Sequence, residues 1–269
     1  MDITNLKEGT VIIEQVSNDT VEDAQFTIIY VFDDMARLTG VYNNDSPSSV
    51  RYNYDECGLV ESYTVHNRIS DSAEVFDNYY EVDDANPNMF YMMNDMLTNA
   101  NVFEFNDKGN LLYSLVNGIF QDTDEDYESD YQYDDNRNCL TSVMEKHSVD
   151  GDEICTILYT YTYDDNDKKL IKVSVRDRTN HTNVGVYEFK YDNDGNLISR
   201  KFIRDGDDDV SLNFTMSYHR VVIGDPKPVT AEMLCKILTN RISYVPEYSV
   251  LKKEWGVDVE WIWEMLLLW

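Results

Sequence analysis

The chain has 269 residues and a formal charge of −29, from 51 acidic and 22 basic side chains, with 20 tyrosines and an apolar content of 42%. That length accommodates one large β domain or two small ones, and the apolar share is enough to bury a core. A field so negative repels nucleic acid and anionic membranes and attracts basic proteins or cations, which sets the first bound on function.

The opening residues, "MDITNLKEGTVIIEQV", carry acids early and no long apolar run, so they do not read as a secretion signal. No stretch reaches the length of a membrane-spanning helix, and the expected location is the cytoplasm, or outside it if a signal has been removed. From Tyr30 onward one form recurs: aromatic, any residue, aromatic, Asp or Asn, a short polar stretch, then usually Leu. It appears as "YVFDDMARLTGVY" from Tyr30, "YNYDECGLVESY" from Tyr52, "YEVDDANPNMFYM" from Tyr80 and "FEFNDKGNLLYSL" from Phe103. Further on come "YQYDDNRNCLTSV" from Tyr131, "YTYDDNDKKLIKV" from Tyr161 and "YEFKYDNDGNLISR" from Tyr187. The anchor acid or amide falls at Asp33, Asp55, Asp83, Asn106, Asp134, Asp164 and Asp192, with gaps of 22, 28, 23, 28, 30 and 28 residues.

Each copy predicts a hairpin. Aromatics two apart share one face of a strand. Cys155, Ile157, Tyr159, Tyr161 and Tyr163 form one such face, against Thr156, Thr160 and Thr162. Val210, Leu212, Phe214, Met216 and Tyr218 alternate with Ser211, Asn213, Thr215, Ser217 and His219 in the same way. These are half-buried antiparallel strands. The Asp-Gly steps at Asp150-Gly151, Asp194-Gly195 and Asp205-Gly206 mark tight turns. The two densest acidic runs, "DTDEDYESD" (Asp122 to Asp130) and "DGDDD" (Asp205 to Asp209), read as solvated loops, with weak calcium binding left open.

Composition shifts near Asp225-Pro226-Lys227-Pro228. Residues 225–269 hold seven acids and five bases, so they carry only −2 of the −29. Thr230 can cap a helix whose stripe is Met233, Leu234, Ile237, Leu238 and Ile242. All four tryptophans follow, at 255, 261, 263 and 269; residues 257–269 fit a strand or a helix, and so apolar an end is expected to cover the sheet, a partner or a second copy.

The copies resemble the YD repeat of RHS-type proteins, whose core is Tyr-Asp, two variable residues, Gly, Arg or Asn, then Leu. Tyr191-Asp192-Asn193-Asp194-Gly195-Asn196-Leu197 fits that core fully, and Phe105-Asn106-Asp107-Lys108-Gly109-Asn110-Leu111 fits with conservative changes. The likeness extends over about residues 25–220 and is shared with Bacteroidetes proteins that have a porin-like β-meander. It implies a β-hairpin array and no particular activity. Seven copies are few for the large shells that RHS proteins build, so the resemblance points to a smaller curled or closed sheet.

The expected fold is therefore mainly β: an antiparallel up-and-down meander of about fourteen strands over 1–224, curled or closed, with a short α-containing C-terminal cap over 225–269. Asp192, Asp194 and Asn196 alternate like part of a calcium loop, but Gly195 comes fourth rather than sixth and no Glu follows at the required distance. The segment therefore reads as a turn. No histidine (His66, His147, His181, His219) sits in a catalytic motif, and GxSxG, HExxH and glycine-rich phosphate loops are missing. Cys57, Cys139, Cys155 and Cys235 lack CxxC spacing and read as scattered core thiols.

These features predict a non-enzymatic, cofactor-free acidic binding module, in the concrete form of an intracellular inhibitor or immunity-type protein for a basic toxin or nuclease. The alternative is a secreted or surface scaffold or glycan-binding protein. The candidate partner-binding residues are Asp122, Asp124, Glu125, Asp126, Asp207, Asp208, Asp209, Trp261, Trp263 and Trp269.

Overall fold

A computed structural model describes residues 8–18, 25–44, 48–56, 60–67, 69–94, 101–107, 110–117, 125–134, 139–164, 169–206 and 212–230. Among them are sixteen strands and no helix: β1 (Gly9–Asn18), β2 (Gln25–Phe32), β3 (Leu38–Asn43), β4 (Ser48–Tyr54), β5 (Val60–Asn67), β6 (Ser72–Val82), β7 (Met89–Asn94) and β8 (Asn101–Phe105). The second eight are β9 (Leu111–Asn117), β10 (Glu125–Asp134), β11 (Cys139–Val149), β12 (Asp152–Tyr163), β13 (Leu170–Asp177), β14 (Thr182–Tyr191), β15 (Leu197–Arg204) and β16 (Leu212–Ile223). They neighbour one another in chain order, and β16 pairs antiparallel with β1, so the meander closes into an up-and-down barrel.

The expected count of fourteen is corrected to sixteen. Seven anchors join seven hairpins (β2 with β3, then every following pair through β14 with β15), which accounts for fourteen strands. The two additional strands, β1 and β16, flank the repeats and lack an anchor motif of their own. They pair with each other from Gly9 opposite Ile223 to Asn18 opposite Phe214. The C-terminal cap expected beyond Thr230 lies outside the described residues, as does its tryptophan segment.

The anchor residue explains why each repeat turns where it does. In the full-core copy, Asp192 Oδ1 accepts the backbone N–H groups of Asp194 (2.9 Å) and Asn196 (2.8 Å), and Oδ2 accepts Asn196 Nδ2 (2.9 Å). Asp192 N donates to Asn196 O at 2.9 Å, and Gly195 N donates to Asp192 O at 3.2 Å. Gly195 is there at φ +88°, a conformation that costs glycine little. The first copy repeats this wiring: Asp33 Oδ1 accepts Met35 N (3.0 Å) and Arg37 N (2.8 Å), and Oδ2 accepts Arg37 Nε (2.7 Å). Ala36 occupies the glycine position at φ +65°. Asn106 does the same with an amide oxygen, accepting Asn110 N at 3.0 Å. In the longer turns Asp83 N bonds Met89 O (3.0 Å) and Asp164 N bonds Lys169 O (2.8 Å). A short side chain that returns to its own backbone is what Asp and Asn supply and Glu cannot do as tightly.

Two compact units are distinguished by their contacts: Met1–Phe76 with Tyr191–Ser199 and Phe214–Trp269, and Asp77–Lys190 with Arg200–Asn213. In the first, a row of partners runs Ile12, Tyr30, Val41, Val50 and Val65 across β1 to β5. Ile12, Ile28, Tyr30, Phe32 and Leu38 are wholly buried there, each worth about 1.5–3 kcal/mol of apolar transfer. One carboxylate shares this face. Glu14 is 1% exposed and accepts the hydroxyls of Tyr30 (2.8 Å, Oε2) and Tyr218 (3.3 Å, Oε1), which offsets its desolvation.

In the second unit a row runs Phe90, Phe103, Ser114, Ser129, Glu145 and Ile157 across β7 to β12. A parallel row runs Tyr131, Val143, Tyr159, Val175 and Gly185. Gly185 has no room for a side chain: a Cβ there would lie 2.6 Å from the Phe202 ring and against the Ile203 carbonyl. The ring of Phe202 fills that space and packs on Tyr187 at 4.7 Å. The expected faces of the last repeat hold, with Phe189 and Leu197 buried and Tyr187 and Tyr191 half-buried.

Candidate functional site

The strand β10 corrects one reading of the sequence. Only 122–124 of "DTDEDYESD" lie outside the described residues; from Glu125 the run is a strand rather than a loop. The reason is alternation. Ser129 and Tyr131 are buried and Tyr127 and Tyr133 half-buried on one face, which leaves Asp126, Glu128, Asp130 and Gln132 on the other. Tyrosine's preference for a pleated, half-buried surface outweighs the acids' preference for loops.

The acid face of β10 is flanked by Asn117, Leu115 and Tyr113 on β9, and by Ser148, Lys146 and Met144 on β11. Tyr113 donates its hydroxyl to Glu128 Oε1 at 3.2 Å, and Lys146 Nζ lies 3.9 Å from Glu128 Oε2. Burial, then the charge of Glu128 and the hydrogen bond to it, push the Tyr113 phenol up to about 12, with Asp130 and Asp126 adding to the effect. Tyr113 therefore stays a neutral donor, and this patch of outer wall is negative.

The second acidic feature comes from topology. In an up-and-down meander alternate connections emerge at the same end. The anchored turns occupy one end of the second unit. At the other end lie the start of β10, the β11–β12 and β13–β14 tips and the end of β15. Six described carboxylates lie at these tips, Asp126, Asp150, Asp152, Glu153, Asp177 and Asp205, against the guanidinium groups of Arg176, Arg178 and Arg204. Val149 and Asp152 pair at the mouth of a two-residue turn in which Asp150 and Gly151 have φ +52° and +83°, the signs that a hairpin with native twist needs. Asp177 accepts Asn180 N (2.9 Å) and Nδ2 (2.8 Å), and these two bonds hold its carboxyl below the usual range.

Of the ten candidate residues, Glu125 and Asp126 are the first two residues of β10, and Asp126 belongs to this rim. Asp122, Asp124, Asp207, Asp208, Asp209, Trp261, Trp263 and Trp269 lie outside the described residues. Asp150, Asp152, Glu153, Asp177, Glu128 and Asp130 were not among the candidates. Their signal was present as acids beside predicted turns or alternating with tyrosines, but it needs the strand order before it adds up.

One constellation resembles nucleophilic machinery. His147 and Cys155 are cross-strand partners, and Tyr127 stacks on the imidazole at 4.6 Å. His147 Nε2 is buried without a hydrogen-bond partner. Burial, followed by the charges of Asp177, Glu145 and Glu153, raises the Cys155 pKa. A reactive thiolate needs the opposite, an electropositive setting, so this pair is poorly suited to covalent catalysis. Cys139 and Cys155 are half-buried. His219 is exposed on the polar side of β16, as its alternation predicts. Among the described residues no group of three His, Cys, Asp or Glu side chains could hold a metal ion.

The exposed surface of the second unit is mixed, with Met144, Ile154 and Ile171 exposed beside polar side chains. Thr160, Thr162, Lys172, Arg176 and Glu188 are exposed, while Tyr159, Tyr161, Val173, Val175 and Phe189 turn to the buried or half-buried face.

No protein-family model matches the chain, and no curated protein matches it. Solved structures do. A porin-like protein from Bacteroides vulgatus is 9% identical, with TM-score 0.39 over 76% of this chain and 97% of that one. One from Bacteroides uniformis is 11% identical, with TM-score 0.36 over 80% and 97%. The Photorhabdus luminescens Tc holotoxin pore is 10% identical, with TM-score 0.20 over 67% of this chain and 11% of that one. At such scores these neighbours carry no argument about activity.

Proposed function

We propose that the protein is a non-catalytic acidic binding module that receives a basic protein partner on the rim formed by Asp126, Asp150, Asp152, Glu153 and Asp205 and on the adjoining β10 wall. The single observation behind it is the imbalance of that rim, six described carboxylates against three guanidinium groups. Its concrete form is an inhibitor or immunity-type protein against a basic toxin or nuclease. Acidic surfaces of this kind steer basic partners and accelerate encounter, and a neutral phenol such as Tyr113 beside them adds a recognition group common in interfaces.

The test is binding to a panel of basic nucleases and neutral control proteins at about 0.1 M and about 1 M salt, between which the screening length falls from about 10 Å to about 3 Å. Selective binding of a basic member that weakens with salt, and that is lost in an Asp126→Lys/Asp150→Lys/Asp152→Lys/Glu153→Lys variant of unchanged stability, supports the proposal. Binding that ignores both salt and these reversals sinks it.

A further inference from the structure

Three Asp-Gly steps occur in the chain, Asp150-Gly151, Asp194-Gly195 and Asp205-Gly206, and sequence alone ranks them alike. In such a step the glycine amide nitrogen can close on the aspartyl side-chain carbon, because the glycine has no Cβ to obstruct the approach.

The structure separates the three. Asp150 and Gly151 sit exposed at the β11–β12 tip, and a Cβ built on Gly151 would meet nothing within 4 Å. Among the described residues neither the Asp150 carboxylate nor the Gly151 amide makes a hydrogen bond. Gly206 has the same open surroundings. The Asp205 amide bonds Val184 O at 3.1 Å, but among the described residues no bond holds the Asp205 carboxylate or the Gly206 amide. The third step is different. Gly195 N donates to Asp192 O at 3.2 Å and Asp194 N to Asp192 Oδ1 at 2.9 Å, so both the attacking nitrogen and the backbone of the residue under attack are held by the anchored turn.

We infer that Asp150 and Asp205 are sites of spontaneous isomerisation to isoaspartate, and that the repeat turn protects Asp194. In the first step the Gly151 nitrogen forms a bond to Asp150 Cγ. The carboxyl C–O bond breaks, and the hydroxyl leaves with the amide proton as water. In the second step water adds to the former main-chain carbonyl carbon of the succinimide, whose bond to nitrogen breaks. The chain then runs through Cβ and Cγ, and a free α-carboxylate remains. Water is lost once and gained once, and nothing is oxidised or reduced. The product carries one more backbone carbon inside a two-residue turn. That is incompatible with the pairing of Val149 with Asp152 and alters the acidic rim from within.

The experiment ages the full-length folded protein in warm, near-neutral buffer beside a sample in concentrated urea. Isoaspartate is measured by enzymatic methylation and located by Asp-N digestion with electron-transfer fragmentation. Expected is a signal at 150 and 205 that exceeds the signal at 194 several-fold when folded, with the three converging in urea. Equal rates at 194 and 150 in the folded protein overturn the inference, as does a ranking that is the same in urea, since local sequence and not the turn would then decide. An Asp192→Ala variant that remains folded should raise the signal at 194 toward that at 150; no rise there also counts against it.

Discussion

The two kinds of turn in this barrel use the same residue for opposite ends. Asp192 spends its carboxylate on its own backbone, taking two N–H groups and an amide side chain. Asp150, a turn residue of the same type, has a carboxylate that bonds nothing among the described residues. Both are acidic, both are turn residues, and both contribute to the −29, yet only the second kind has a charge free for a partner. An acid count therefore overstates the interaction surface, and the anchored repeats are the first acids to subtract from it.

The largest expected effect tests the anchored side of this contrast. Asp192→Ala removes the acceptor of two backbone N–H groups and should cost about 2–3 kcal/mol in urea unfolding, and Asp33→Ala a similar amount. Asp192→Asn should cost less, about 1 kcal/mol, because Asn106 already shows that an amide oxygen can anchor the turn. Gly195→Ala should cost about 1 kcal/mol for a side chain at positive φ, a cost that Ala36 already bears in the first copy. On the other side, Asp150→Asn should change stability by less than about 0.5 kcal/mol while reducing the salt dependence of partner binding. If Asp150→Asn destabilises as much as Asp192→Ala, the two turns are not different in kind.

The pH response sharpens the same point. Burial alone would raise the Asp192 pKa, but the bonds from the Asn196 side chain and from the Asn196, Asp194 and Gly195 amides outweigh it and hold the value low. Asp83 is held low by the Asn86 and Ala85 amides and by the Tyr91 hydroxyl. A carboxyl whose folded pKa lies below its unfolded one stabilises the fold above the unfolded value, near pH 4, and loses that contribution as pH falls through the folded value. Stability should therefore decline below about pH 4, and the decline should be shallower in Asp192→Asn, as thermal unfolding across that range would show.

Much of the fold was legible because each repeat carries its own instructions. The aromatic pair sets the face, the anchor sets the turn, and the following Leu re-enters the core, as Phe189, Asp192 and Leu197 do together. β1 and β16 were harder to count because a strand without an anchor has only its alternation to identify it. β10 was misread as a loop at Glu125 to Asp130 because acid density conceals alternation when the intervening residues are tyrosine and serine. The rim was invisible for a different reason. Asp126, Asp150, Asp177 and Asp205 are far apart in sequence, and only antiparallel order makes alternate turns neighbours.

The pairing of the first strand with the last has a consequence for how the chain is made. Tyr218 reaches Glu14 across 204 positions of sequence, so the seam is among the least local contacts in the molecule. Each repeat hairpin can form as it leaves the ribosome, since its partners are adjacent, but the seam must wait for β16. Until then β1 presents an unpaired edge carrying Val11, Ile12, Ile13 and Val16, the kind of edge that recruits other chains. The seven local hairpins thus fold early and independently of the ending, while protection against aggregation arrives only with the final strand of the barrel, which makes truncation before residue 212 far more damaging to yield than the loss of any single turn.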